Sequence, residues 1–323
     1  MPFSHKPFHT SVDPHLNREM FQSFLQDGTV QVGCIDGLDG SGKQSAALEV
    51  AKILKERGVS TLIVSYPYDF SSLGKQIRKY LSNGWIEQNE YIDLPSRRSL
   101  YALNRAQTIE IIINRTIEIN RRVKTPVKII FDRCPTSILV TFSAEKLYQA
   151  GEGPLIISEE EVKDELIKIY DIDANFISIF GIDTLTIHIP MVSPEATVAA
   201  IINAVKIGER KEKDVYEKSD IQNAARMSYL IAAKLFPKRF HVFSQMLHGS
   251  ETRMSKEQIG KLLYESFEWN NRFSRNNAII ETLTVDIDSR PELINEKDEL
   301  AVLNNEMAIK VKTFIQPFVK TRM

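Results

Sequence analysis

The stretch TVQVGCIDGLDGSGKQSAALEVAKIL, residues 29–54, constrains the fold more than any other part of the chain. TVQVGCI reads as a buried strand that stops at a cluster of glycines, Gly37, Gly40 and Gly42, set around Lys43. From Gln44 the pattern turns helical, with Ala47, Val50, Ala51 and Leu54 on one face and Gly58 as the stop. STLIVSY, residues 60–66, supplies a second strand. Strand, loop, helix, strand is the opening of a parallel α/β unit, so the predicted fold is a three-layer α/β/α domain built on a parallel sheet.

The glycine loop carries chemistry of its own. Glycines let successive backbone N–H groups converge on phosphate oxygens, the helix N-terminus adds a positive field, and Lys43 can neutralise a transferred phosphate. Gly37, Leu38, Asp39, Gly40, Ser41, Gly42 and Lys43 fill the first seven positions of G-x-x-x-x-G-K-[ST], and Gln44 fills the eighth. A hydroxyl there would hold Mg²⁺, whereas an amide must reach farther and donates as well as accepts. Ser45, one residue on, could touch an α-phosphate without restoring that ligand.

Further along, LGKQIRKYL (73–81) predicts a short helix and residues 96–122 a single long one. VKIIF (127–131) predicts a third strand ending on Asp132 and Arg133, and TLTIHIP (184–190) a fourth. Capping boxes pair Ser158 with Glu161 and Ser255 with Gln258, and Ser219 with Gln222 reads as another helix start. Ser193 and Pro194 suggest one more helix, 208–220 a charged surface, 282–288 a last strand and 296–316 a closing helix. Residues 1–28 read as an N-terminal extension, 29–323 as one domain, and 237–281 as a helical insertion within it. Arg97 and Arg98 fit a solvated helix face, and His188 fits a core or edge position in its strand.

Lys plus Arg number 41 against 42 Asp plus Glu, so there is no global pull toward nucleic acid, and none is expected as a partner. Any anion must be held locally. Cys34 and Cys134 lie in apolar runs, which fits buried thiols in a reducing compartment. Residues 1–16 lack the apolar segment of a signal peptide and no run is long enough to span a bilayer, so a cytoplasmic location with no membrane partner is expected.

Several ordered segments together resemble the thymidylate kinase family of P-loop nucleoside monophosphate kinases. GLDGSGKQ is similar to that family's phosphate loop, SYPYDFSSLGKQIRKYL to its proline-containing substrate loop and the helix after it, and LYALNRAQ to its arginine-bearing helix. FDRCPTSILV and LYQAGEG resemble its Asp-Arg-Tyr motif and the start of its lid, and KDVYEK its late Asp-Arg-Phe-Glu segment. The resemblance implies phosphorylation of a nucleoside monophosphate, dTMP to dTDP, at the expense of ATP with Mg²⁺. It also implies a homodimer that includes helix 96–122. Lys43 and the loop would hold ATP, Asp39 the deoxyribose or reacting phosphate, Arg105 the phosphates or base, and Arg133 the acceptor phosphate. Tyr66, Pro67 and Tyr68 would wall the base, Gln149 would meet its edge, and Asp132 would hold Mg²⁺ through water.

Four positions depart from the family's pattern. Gln44 replaces the hydroxyl, and Cys134 replaces a tyrosine that packs on the sugar. No arginine lies in the loop or between Tyr148 and Leu155, and Val215 stands where Asp-Arg-Phe-Glu has arginine. A kinase of another nucleoside monophosphate, or a nucleotide-binding protein of weak activity, therefore remains open beside the thymidylate reading.

Overall fold

The computed structural model describes residues 14–83, 93–192, 216–246, 252–267, 269, 278–289 and 294–303. Six strands form one sheet: β1 (Val30–Ile35), β2 (Ser60–Ser65), β3 (Val127–Asp132), β4 (Ile187–Met191), β5 (Phe240–Ser244) and β6 (Ile280–Thr282). They lie in the order β5-β4-β1-β3-β2-β6, and all five pairings are parallel. β3 is buried at every position and β2 at all but its last, the pattern of strands covered on both faces.

Eleven helices surround the sheet among the described residues: α1 (Pro14–Gln26), α2 (Lys43–Glu56), α3 (Ser72–Asn83), α4 (Leu94–Ala106), α5 (Ile109–Val123), α6 (Ile138–Ala150), α7 (Glu159–Ile172), α8 (Ala174–Phe180), α9 (Ser219–Leu235), α10 (Lys256–Ser266) and α11 (Glu296–Leu303). One face packs on α2 and α10 through Ile35, Ala47, Val50, Leu54, Ile63, Ile130 and Leu263. The other carries the larger core, including Val32, Leu62, Leu103, Ile112, Phe131, Phe176 and Phe180. Phe131, Phe176 and Phe180 pack in tilted and edge-to-face contacts within 5.3 Å of one another between centroids. The three-layer α/β/α fold of a P-loop protein is the observed architecture.

Several elements differ from the sequence reading. Residues 96–122 form two helices, because the chain breaks at Gln107–Thr108, where the Thr108 hydroxyl donates to the Arg105 carbonyl at 2.7 Å and pairs with the Tyr66 hydroxyl at 2.6 Å. The helical insertion at 237–281 contains β5, which extends the sheet, as well as α10. The last strand covers 280–282, and beyond it the Val285 carbonyl is taken by the Tyr68 hydroxyl at 2.8 Å. The boxes at Ser158 and Ser255 form, but Ser219 is already helical, Lys218 is the cap, and Gln222 binds elsewhere. Arg97 and Arg98 are buried and paired with Glu145 and Glu165. The helix at Ser193 and Pro194, Val215, and residues 208–215 and 304–316 lie outside the described residues.

Candidate active site

The C-terminal ends of the parallel strands converge on loop 36–42, where chain order reverses about β1 and open α/β sheets place their ligands. Gly37, Gly40 and Gly42 have φ of +113°, +70° and +82°, a region costly for any side chain. At Gly37 a Cβ would also come within 2.9 Å of Ile189. The loop on this path leads directly into the first turn of α2, whose N-terminal field favours an anion.

Lys43, at the first turn of α2, is buried and its Nζ donates to the carbonyls of Gly37, at 3.0 Å, and Leu38. Burial and the neighbouring Arg133 pull its ammonium down to about 8, against the opposing pull of Asp39, Asp132 and Asp36. Arg133, in the left-handed region with φ +72°, pairs with Asp39 across the loop. Burial lowers the guanidinium, but Asp39 overrides this and holds it above its ordinary value. Asp132 accepts from the Ser65 hydroxyl at 3.2 Å, and burial raises its carboxyl despite Lys43 and Arg133. Asp132 is thus a buried carboxylate at the end of β3, with Lys43 and Arg133 as its nearest cations. Gln44 is exposed in the first turn of α2, with Ser45 half-buried beside it. Among the described residues no three His, Cys, Asp or Glu cluster as a metal site.

Beside the loop opens a small cleft lined by Asp39, Tyr66, Pro67, Tyr101, Arg105 and Arg133, with Tyr216 among its other walls. It thus joins five of the residues singled out in the sequence. The Tyr66–Pro67 bond is cis, and Tyr66 is anchored by Thr108. Arg105 is buried and bound through Nε and Nη2 to Asp173, at 2.8 and 2.6 Å, so its Nη1 takes no part in the pair.

Three expected residues stand outside the cleft lining. Tyr68 is a core residue whose backbone N–H is held by Asn104 at 2.6 Å. Gln149 is exposed near the end of α6 and donates to Glu145 at 3.3 Å. Cys134 turns into the core, with Sγ 3.3 Å from Asp36, and burial together with Cys34 and Asp36 raises its thiol well above the ordinary value.

Two residues are central here that sequence reasoning passed over. Asp36, fully buried, accepts from Gly37 N–H (2.8 Å), Thr136 (2.5 Å), Ser137 (2.5 Å), Tyr229 (3.1 Å) and Cys134. It ties the start of the loop to α9 and to the turn before α6. Gln222 accepts from the Asp39 N–H at 2.9 Å and donates to the Tyr216 carbonyl at 2.8 Å. An acid closing an apolar strand, as Asp36 does, was the available signal for the first. Gln222 offered none, since its spacing from Ser219 imitates a cap.

Residues 35–149 match the family model described as thymidylate kinase. That span begins at the end of β1 and contains the loop, Arg105, Arg133 and all but the last residue of α6. Over that span the chain is similar to thymidylate kinases. Among solved structures, one reported as the thymidylate kinase from Candida albicans, with broad substrate specificity and a novel structural element, is 17% identical. The alignment covers 74% of this chain and 91% of that one, with a TM-score of 0.41. No curated protein matches the sequence. No helix among the described residues is long and apolar enough to cross a membrane.

Proposed function

We propose that the protein transfers the γ-phosphate of ATP to a nucleoside monophosphate, with dTMP as acceptor and dTDP as product. The observation that carries this reading is the Asp39–Arg133 pair, which belongs both to the phosphate loop and to the cleft beside it. Lys43 and the loop amides would hold the ATP phosphates, and Arg133 the acceptor phosphate. An acceptor oxygen then forms the new P–O bond as the bond to ADP breaks, and the cations stabilise the charge that spreads over the transferred group. Tyr66 and Pro67 would face the base, while Arg105, oriented by Asp173, offers Nη1 to the acceptor. Asp132 would hold Mg²⁺, which when bound neutralises charge on the ATP phosphates.

A second reading, a kinase of another nucleoside monophosphate, is favoured by Cys134 and Gln149. Neither lines the cleft, so the sugar edge and one base edge lack the side chains that the thymidylate resemblance implies. The homodimer would need a surface other than the part of α5 that α1 covers, where Asn17 meets Asn114 at 2.7 Å and Arg18 pairs with Glu110. Sedimentation at micromolar concentration tests it.

The decisive experiment incubates purified protein with ATP–Mg²⁺ and each nucleoside monophosphate and follows diphosphates by chromatography. Preferential dTDP is expected, and Lys43→Met should lower turnover by about 10²-fold or more. Preference for another diphosphate moves the acceptor to the second reading. ATP binding with no acceptor-dependent ADP release would leave a nucleotide-binding protein.

A further inference from the structure

Arg253 lies beyond the family match, on the chain that returns after β5, where Met246 and Arg253 form an antiparallel bridge. Its Nε and Nη2 both donate to Gln245 Oε1, at 2.9 and 2.7 Å, and Nη2 also reaches the Ser41 carbonyl at 2.8 Å. Gln245 is fully buried, donates through Nε2 to the same carbonyl at 2.6 Å, and anchors its backbone N–H on Met191 at 3.0 Å. The guanidinium is thus fixed against the phosphate loop by a residue tied to both the loop and β4. A Cβ on Gly42 would lie 3.2 Å from Nη2, which sets the cation beside the residue preceding Lys43.

The charge around it is unbalanced. Among the described residues Arg253 has no carboxylate partner, and its Nη1 has no acceptor. Its partners are two neutral oxygens, and it sits near the amide end of α2, whose field also favours an anion. Ser41, buried in the same loop, has a hydroxyl oxygen without a hydrogen-bond partner among the described residues. A half-buried cation so placed is unfavourable by itself and becomes favourable when an anion binds the loop.

We infer that Arg253 is a phosphate ligand, contacting the polyphosphate of the nucleotide held on residues 37–43. This rests on the proposed nucleotide role of that loop. It supplies from the β5 return a guanidinium that neither the loop nor residues 148–155 carries. Burial, which lowers the Arg253 guanidinium from its ordinary value, agrees with a group lacking an acidic neighbour.

The test titrates the full-length protein, Arg253→Gln and Arg253→Lys with ATP and with inorganic tripolyphosphate by calorimetry, with unliganded thermal melts alongside. Arg253→Gln is expected to weaken both ligands by about tenfold or more, as for a charge-assisted hydrogen bond, with Arg253→Lys intermediate. The unliganded melting temperature should be unchanged or higher, because an unpaired cation has been removed. ATP affinity within twofold of the parent overturns the inference, and so does a loss seen for ATP but not tripolyphosphate, which would assign Arg253 to the adenosine end. A lower melting temperature with unchanged affinity reduces it to a brace. If the parent binds neither ligand, the nucleotide reading of the loop fails and this inference with it; parental binding unmoved by the substitution sinks the inference alone.

Discussion

Replacing Asp173 by Asn tests how the cleft holds Arg105. The two side chains form a two-pronged pair, and their exposures are 4% for Arg105 and 1% for Asp173. Asn keeps the shape but removes the charge, leaving a guanidinium buried without its counter-ion. Breaking a buried pair from one side costs about 3–5 kcal/mol, whereas replacing both partners by apolar residues of similar volume is often near neutral. Asp173→Asn should therefore lose about 3–5 kcal/mol of unfolding free energy, and Arg105→Met/Asp173→Leu much less. With a urea slope of about 3 kcal/mol/M, the single substitution moves the midpoint down by about 1–1.7 M. Equilibrium urea unfolding followed by fluorescence and circular dichroism measures this, with coincident transitions required before free energies are compared. A midpoint shift under about 0.3 M, or a double variant as unstable as the single, would refute the claim that Asp173 is the charge partner on which burial of Arg105 depends.

Three further outcomes are expected. Lys128 is buried, its Nζ lacks a hydrogen-bond partner among the described residues, and burial lowers it to about 7. Its folded value lies below the unfolded one of about 10.4, so the unfolded chain binds more protons across that window and stability rises with pH from about 7 to 10. Lys128→Met should stabilise the protein at pH 7 by an amount on the order of a few kcal/mol and flatten that rise; identical urea midpoints for variant and parent at pH 7 and 9.5 would contradict this. Gln222→Ala frees the Asp39 N–H and the Tyr216 carbonyl, so the acceptor KM should increase by about tenfold, and steady-state kinetics giving an unaltered KM would remove its positioning role. Gln44→Thr should raise kcat and lower the Mg²⁺ concentration required, because a hydroxyl on the first turn of α2 adds a metal ligand; no change in a Mg²⁺ titration would mean that Asp132 and solvent already suffice.

The parts of the fold that were legible in the sequence are those fixed by local pattern. β1, the loop and α2 follow from an apolar run, three glycines that must adopt positive φ, and a helical stripe. The capping boxes at Ser158 and Ser255 are equally local and form as read. What escaped depends on partners distant in sequence. The helix break at Thr108 answers to Tyr66, 42 residues away, and the burial of Arg98 and Arg105 answers to Glu165 and Asp173, 67 and 68 residues away. A helical arginine with such an acid looks the same in sequence as one facing solvent. Gln222 shows the converse error, since a spacing that suits a cap was taken up by a contact 183 residues back at Asp39. β5 was missed because a five-residue strand whose exposed His241 and Ser244 are three residues apart breaks strict alternation and gives too short a signal beside the long helical patterns around it.

The same distant contacts determine how the loop's charges can respond to a substrate. Lys43 is held by two carbonyls, which are neutral, so exchanging them for phosphate oxygens gains charge attraction without breaking an ion pair. Arg133 is held by a carboxylate, so it can turn to an acceptor phosphate without loss only if Asp39 keeps a cation or hydrogen-bond donor of its own. Gln222 meets that condition, since its amide contacts both the Asp39 backbone and, at 3.3 Å, the Asp39 carboxylate. Gln222 also holds the carbonyl of Tyr216 in the cleft wall. One buried amide thus connects the phosphate loop, the arginine proposed to hold the acceptor and the wall of the cleft, and a shift of Tyr216 on acceptor binding would reach Asp39 through a single side chain.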